Sequence, residues 1–227
     1  MDAVIFYSNT GQSKSIAEYI AQKIRYPLIS IESVKDTCYK NLVLVFPVHC
    51  QNIPDTVKAF LKRVNADNLT VIATYGKMCC GNVLYEIQNG YSKNIVAGAY
   101  VPTKHSYIEN DDVFRDFERL TPIIKKIKNP STVQIPRIYK NPFADLFPKL
   151  RSRLGLKIYR NSYCNQCGAC TEHCPLKAIK SGVTNNNCIR CLKCADICPR
   201  HALNVKISLP LKLYLSKEKT NKILIYV

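Results

Sequence analysis

No apolar run in this sequence reaches the roughly 18 residues that a membrane-spanning helix needs, so no transmembrane segment is expected. Met1 runs almost directly into the apolar stretch 3–7, with no basic leader ahead of it. No secretory signal is read, and the expected location is the cytoplasm. Acidic residues are scarce: 16 against 33 lysines and arginines, a formal charge of +17. Such a balance points to acidic partners. No RGG run, zinc finger or other reader motif accompanies it, which disfavours nucleic acid. Glycine is also sparse, at eight, and no two glycines stand as G-x-G. The dinucleotide fingerprint is therefore missing, and direct oxidation of NAD(P)H is disfavoured.

Cysteine is abundant by contrast, at twelve. Disulfides rarely persist in a reducing compartment, so metal ligation is the better expectation. Cys38, Cys50, Cys79 and Cys80 are scattered. The other eight form one string twice: Cys164, Cys167, Cys170, Cys174 before Pro175, and Cys188, Cys191, Cys194, Cys198 before Pro199. Residues 177–179 (Lys-Ala-Ile) recur as 201–203 (His-Ala-Leu), which marks an internal duplication. Zinc also takes four cysteines, but its usual pattern is two separated C-x2-C knuckles. A C-x2-C-x2-C loop wraps three corners of a [4Fe–4S] cube, and the fourth cysteine of each string reaches the other cube. One cube then takes Cys164, Cys167, Cys170 and Cys198. The other takes Cys174, Cys188, Cys191 and Cys194. The region resembles bacterial two-cluster ferredoxins at every ligand position, which implies a small α+β domain.

Residues 1–128 alternate short apolar runs with amphipathic stretches. Strands are expected at 4–7, 28–31, 42–46, 69–74 and 95–101. Helices are expected at 12–24, around Val57, Phe60, Leu61 and Val64, and over 82–88. Val113, Phe117, Leu120, Ile124 and Ile127 suggest a last helix kinked at Pro122. Strands apolar on both faces, separated by helices, imply a doubly wound, five-stranded parallel sheet. Its ligand crevice lies beyond the strands' carboxyl ends, in the loops after strands one, three and four.

The first of those loops reads Ser8-Asn9-Thr10-Gly11-Gln12-Ser13. Three hydroxyls and a glycine at a strand-to-helix turn form an anion site, more than a simple helix cap requires. The string resembles the FMN-phosphate loop of flavodoxins. By that resemblance, Pro47, Val48, His49, Cys50, Gln51 and Asn52 form the first isoalloxazine-contacting loop. Thr74, Tyr75, Gly76, Lys77 and Gly81 belong to the second. Aromatic rings for stacking are few here: His49 stands in the first loop and only Tyr75 in the second.

Prolines 130, 136, 142 and 148 mark a boundary. The expected organisation is a flavodoxin-like FMN-binding domain at 1–128, a linker at 129–160, a ferredoxin domain at 161–206 and a tail at 207–227. Within the linker, residues 143–156 interleave apolar side chains with Lys149, Arg151 and Arg153, as in a packed linker helix or a membrane or partner patch. The whole chain resembles a family, found mainly in anaerobes, that fuses a flavodoxin-like domain to a two-cluster ferredoxin. That implies electron transfer between the clusters and FMN, linking a low-potential donor to an acceptor that is a redox protein, with an acidic one favoured by charge. The alternative is a flavin-dependent reductase of a small substrate, with His49 or Lys77 as proton donor.

Overall fold

A computed structural model describes residues 1–108 and 111–227, apart from the side chain of Lys149. In chain order the elements are β1 (Asp2–Phe6), α1 (Gln12–Ile24), β2 (Leu28–Ser30), β3 (Cys38–Pro47), α2 (Asp55–Arg63), β4 (Asn65–Tyr75), α3 (Val83–Gly90), β5 (Ile95–Pro102) and α4 (Thr121–Lys128). They continue with α5 (Pro148–Gly155), β6 (Leu156–Arg160), α6 (Ala169–Glu172), β7 (Ile179–Lys180), β8 (Val183–Thr184), α7 (Lys193–Asp196), β9 (Leu203–Ile207), α8 (Leu209–Leu215) and β10 (Leu224–Tyr226). The chain forms two compact units, residues 1–142 with 219–227, and residues 143–218.

The first unit is built on one sheet of order β10-β5-β4-β3-β1-β2. Its first five strands are parallel. Apolar residues on successive positions face opposite layers. Leu42, Leu44 and Phe46 meet α2 and α3 through Val57, Phe60, Leu84 and Ile87. Val43 and Val45 meet α1 and α4 through Ile16, Ile20, Ile123 and Ile127. All eight positions of β5 are buried. Strand order reverses between β1 and β3, the kind of position at which doubly wound sheets bind ligands.

Two differences from expectation concern the elements after β5. Val113 is 38% exposed and lies outside any helix. A 3-10 turn at Phe117–Leu120 leads into α4, whose first turn holds Pro122. Proline lacks an N–H that the first turn does not need, so it starts this helix instead of kinking one. The second difference is a sixth strand. β10 pairs antiparallel with β5, Ile225 opposite Ala99. The tail thus divides, and its last part completes the first unit. Residues 129–142 also pack with the first unit, while 143–160 supply α5 and β6 to the second.

The second unit shows the duplication as a pseudo-two-fold. β6 pairs antiparallel with β9, Arg160 opposite Leu203. Twenty-four residues away in each direction, Thr184 of β8 stands opposite Ile179 of β7. The short helices α6 and α7 repeat the same offset.

Candidate functional site

In the second unit, each C-x2-C-x2-C loop is bent by positive-φ residues at matching positions. Gln166 (59°) matches Arg190 (61°), and Gly168 (86°) matches Leu192 (63°). Only glycine adopts this conformation freely, so the second loop holds Leu192 there at a cost of roughly 1 kcal/mol. After each fourth cysteine the chain turns back and donates an amide to its sulfur. Ala178 N–H lies 3.2 Å from Cys174 Sγ. Ala202 N–H lies 3.3 Å from Cys198 Sγ.

Cys164, Cys167, Cys170 and Cys198 line one cavity of about 350 Å³, open mouth included. Its wall is completed by Gly168, Gly182 and Arg200. The other four thiols also gather. Burial pushes the Cys191 thiol up, and the charges of Cys188 and Cys174 push it further. Burial, then Cys191 and Cys188, push Cys194 up to about 12, with Cys170 adding to the effect. Cys170 thus stands at the junction of the two sets. Crowded thiols that repel one another's negative charge are suited to a cationic metal core, which removes the penalty on the thiolates. Among the described residues, no three candidate ligands converge on a single ion. The thiolates of a cube bind separate irons and stand farther apart than ligands of one ion.

At the carboxyl ends of β1, β3 and β4, the three loops of the first unit meet. Gly11, at φ 90°, caps α1 and donates its amide to Ser8 Oγ at 3.1 Å. Thr10 and Gly11 are exposed. Ser13 Oγ lies 2.8 Å from Thr74 Oγ1, tying the first loop to the third. Asn9 Oδ1 lies 3.0 Å from His49 Nε2, tying the first to the second. Gln12 Nε2 donates to the Lys104 carbonyl at 3.2 Å. Gln12 Oε1 is buried without a partner among the described residues, an acceptor suited to a ligand hydroxyl.

The second loop is a tight reversal. His49 and Asn52 exchange backbone hydrogen bonds at 3.0 and 2.8 Å, with Cys50 (φ 50°) and Gln51 (φ 69°) between them. Two positive φ values are the mark of a type I′ turn. Gly81 packs beneath it, where an added Cβ would stand 2.3 Å from Gln51 O. His49 is held down to about 4 by burial, against the pull of Asp55. Its ring meets Tyr7 edge-on at 6.1 Å. Among the described residues, no cysteine forms a disulfide.

The third loop turns its one aromatic ring away from solvent. Tyr75 is 4% exposed and joins the core, with its hydroxyl donating to the Lys222 carbonyl at 2.8 Å. The ring is therefore not presented for stacking in the crevice. β-strand alternation turns it into the same core layer as Val71 and Ala73. Lys77 Nζ pairs with Asp111 Oδ1 at 2.7 Å, both side chains almost fully buried.

Comparison with known proteins follows the same division. Residues 3–96 match the model of a flavodoxin domain, and residues 158–180 match the model of a 4Fe–4S binding domain. The chain joins a flavodoxin domain to a 4Fe–4S domain. The second cysteine string lies outside the matched span. No curated protein matches the chain. Among solved structures, a flavodoxin of Streptococcus pneumonia TIGR4 is 14% identical, with TM-score 0.42, covering 56% of this chain and 97% of its own. A short-chain flavodoxin associated with a non-canonical PDU bacterial microcompartment is 13% identical, with TM-score 0.43, covering 56% and 96%. A flavodoxin from the domain Archaea is 16% identical, with TM-score 0.39, covering 56% and 99%.

Around the flavodoxin domain's third loop, the structure adds residues that sequence reasoning missed. Asp111 accepts the His105 amide at 2.8 Å and lies 3.9 Å from Lys219 Nζ. Thr220 N–H donates to the Lys77 carbonyl at 2.8 Å. His105 packs over Gly76, where an added Cβ would meet its ring at 2.5 Å. Burial holds His105 down to about 4, aided by Lys219 and opposed by Asp111. The one sequence signal for this brace is the strand-forming look of the tail after Val205, which names neither a strand position nor a partner. Burial leaves His49 neutral at neutral pH, so its ring is a poor proton donor there, and Lys77 Nζ is paired with Asp111.

Proposed function

We propose that the protein is an electron-transfer protein carrying two [4Fe–4S] clusters and one FMN. Cys164, Cys167, Cys170 and Cys198 hold one cluster. Cys174, Cys188, Cys191 and Cys194 hold the other. The observation that carries this reading is Cys198: it comes from the second string, yet it lines the cavity of the first three cysteines. That is the exchange expected of two adjacent cubes. In the flavodoxin domain, residues 8–13 bind the FMN phosphate through open amides and hydroxyls, and Gln12 Oε1 accepts from a ribityl hydroxyl. Residues 47–52 and 74–81 flank the isoalloxazine. Each cluster supplies one electron at a time, and FMN holds one or two. The chain's own task is to position the centres and tune them by burial, amide hydrogen bonds to sulfur, and charge.

The partner is an acidic, low-potential redox protein of the cytoplasm, drawn by the +17 formal charge. Protein purified without oxygen should hold about eight irons, eight sulfides and one flavin per chain. Tightly bound zinc without sulfide ends the cluster reading. Reduction of the flavin by an acidic ferredoxin should slow as salt rises, because screening removes steering between exposed charges. A rate indifferent to salt removes the acidic partner. Flavin reduction that stays fast in a cluster-free variant removes the wire and favours the flavin-dependent reductase.

A further inference from the structure

A run of large apolar side chains in the 4Fe–4S unit faces solvent. Phe143, Leu146, Phe147, Leu150 and Leu154 are 43–68% exposed. Leu150 and Leu154 lie one turn apart on α5, and Phe147 caps its start. Leu209 and Leu213, one turn apart on α8, are 69% and 62% exposed.

The two helices are neighbours. Ser208 N–H donates to the Gly155 carbonyl at 2.8 Å, and a Cβ on Gly155 would stand 3.0 Å from Leu211 Cδ2. α5 ends where β6 begins and α8 starts where β9 ends, so both emerge at the Leu156–Ile207 end of that ladder. Candidate ligand Cys164 follows the opposite, Arg160–Leu203 end, where its amide meets the Asn161 carbonyl.

Charge around these helices is predominantly positive. Residues 143–157 contain Lys149, Arg151, Arg153 and Lys157, and residues 206–217 contain Lys206, Lys212 and Lys217. Those two stretches hold seven cations against one carboxylate, Asp145, with Glu218 just beyond the second. Isolated exposed apolar residues are ordinary, but a contiguous set on two adjoining helices marks a surface that meets something.

We propose that this face of the 4Fe–4S unit docks on an anionic lipid surface. The leucines and phenylalanines enter the headgroup–acyl boundary, and the lysines and arginines meet the headgroups. Five of the seven cations are lysines. Protein interfaces deplete lysine and favour tyrosine, tryptophan and arginine, so composition favours lipid over a protein partner. No helix among the described residues is long and apolar enough to cross the bilayer, so the contact is peripheral. The proposal is independent of whether FMN binds.

The test is flotation of the full-length, anaerobically prepared protein with two kinds of vesicle: phosphatidylcholine alone, and phosphatidylcholine with phosphatidylglycerol. The anionic vesicles should bind roughly tenfold more tightly or better, and high salt should release the protein. The triple variant Leu150→Glu, Leu154→Glu, Leu213→Glu should lose binding while keeping wild-type iron and sulfide content, since all three side chains already face solvent. A second variant, Lys212→Gln with Lys217→Gln, should weaken binding without altering those apolar contacts. Equal affinity for both vesicle types, no binding to either, or unchanged binding by the triple variant overturns the proposal. So does self-association that the triple variant abolishes, or a stable complex with an acidic protein through the same leucines in place of vesicle binding.

Discussion

Removing the Asp111 carboxylate should loosen the flavodoxin domain more than any other single change in its loops. The carboxylate joins three segments: Lys77 from the loop after β4, the His105 amide from the loop after β5, and Lys219 from the returning chain. The Lys77 and Asp111 side chains are 7% and 5% exposed. Asp111→Ala leaves a buried ammonium without its partner, which costs about 3–5 kcal/mol. A domain's whole stability is about 5–15 kcal/mol, so the loss is a large share. Replacing both partners, Lys77→Met with Asp111→Leu, should recover most of it, because no buried charge is then left over. The exposed neighbour Asp112→Ala should change stability by less than about 0.5 kcal/mol. Pulsed hydrogen exchange along a urea series, read on peptides from β3, β4 and β5, isolates this domain from the cluster unit. If Asp111→Ala and Asp112→Ala shift the midpoint equally, or the double variant is no better than the single one, the carboxylate is not the brace described. The pH response has a definite sign. Burial opposes ionisation of Asp111, but the Lys77 and His105 hydrogen bonds outweigh it and hold the carboxyl below 3.8. Its contribution is present above that value and lost as pH falls through the lowered one.

Four further outcomes follow from the geometry. Cys198→Ala should remove about four irons from the cube built on the first string and Cys174→Ala about four from the other; iron counts with spectra distinguish this from loss of one cube in both. Thr10→Leu should weaken FMN binding in a titration while leaving iron and sulfide unchanged, since Thr10 is exposed at the open amides of the first loop. Gly81→Ala should cost at least about 1 kcal/mol and also weaken FMN, because its φ is +63° and the new Cβ meets Gln51 O; an unchanged melting profile refutes the clash. His49 and His105 bind protons in the unfolded chain near 6.5 but in the folded one only near 4. Flavodoxin-domain stability should therefore fall as pH drops from about 6.5 towards 4, and His105→Gln should flatten that slope.

Much of the flavodoxin domain was legible because its strands are apolar on both faces. Runs such as 42–46 and 69–74 have few alternatives to a covered parallel sheet. The cysteine strings were legible for another reason: ligand spacing is dictated by a rigid cube and survives any change in packing. What stayed hidden depends on long-range pairing. The tail after Val205 looks strand-forming, but no local signal says that its end crosses back to β5. Asp111, Lys219 and Thr220 carry no motif and become a brace only through that return. For Tyr75 the loop resemblance fixes position along the chain but not the side to which the ring turns; strand alternation decides that.

The return of β10 to the sheet has a consequence for biosynthesis. β5 pairs on its outer side with a strand that emerges from the ribosome only after all eight clustered cysteines. Until then β5 presents an open, fully apolar sheet edge, the kind of template on which other chains aggregate. The chain is thus held incomplete through the interval in which its cysteines first become available for iron. Conditions that delay translation past residue 198, or stall the cysteine segment in a misfolded state, expose the edge for longer. Overproduction in a host poor in iron–sulfur assembly would therefore yield aggregates nucleated by the flavodoxin half, although the defect lies in the other.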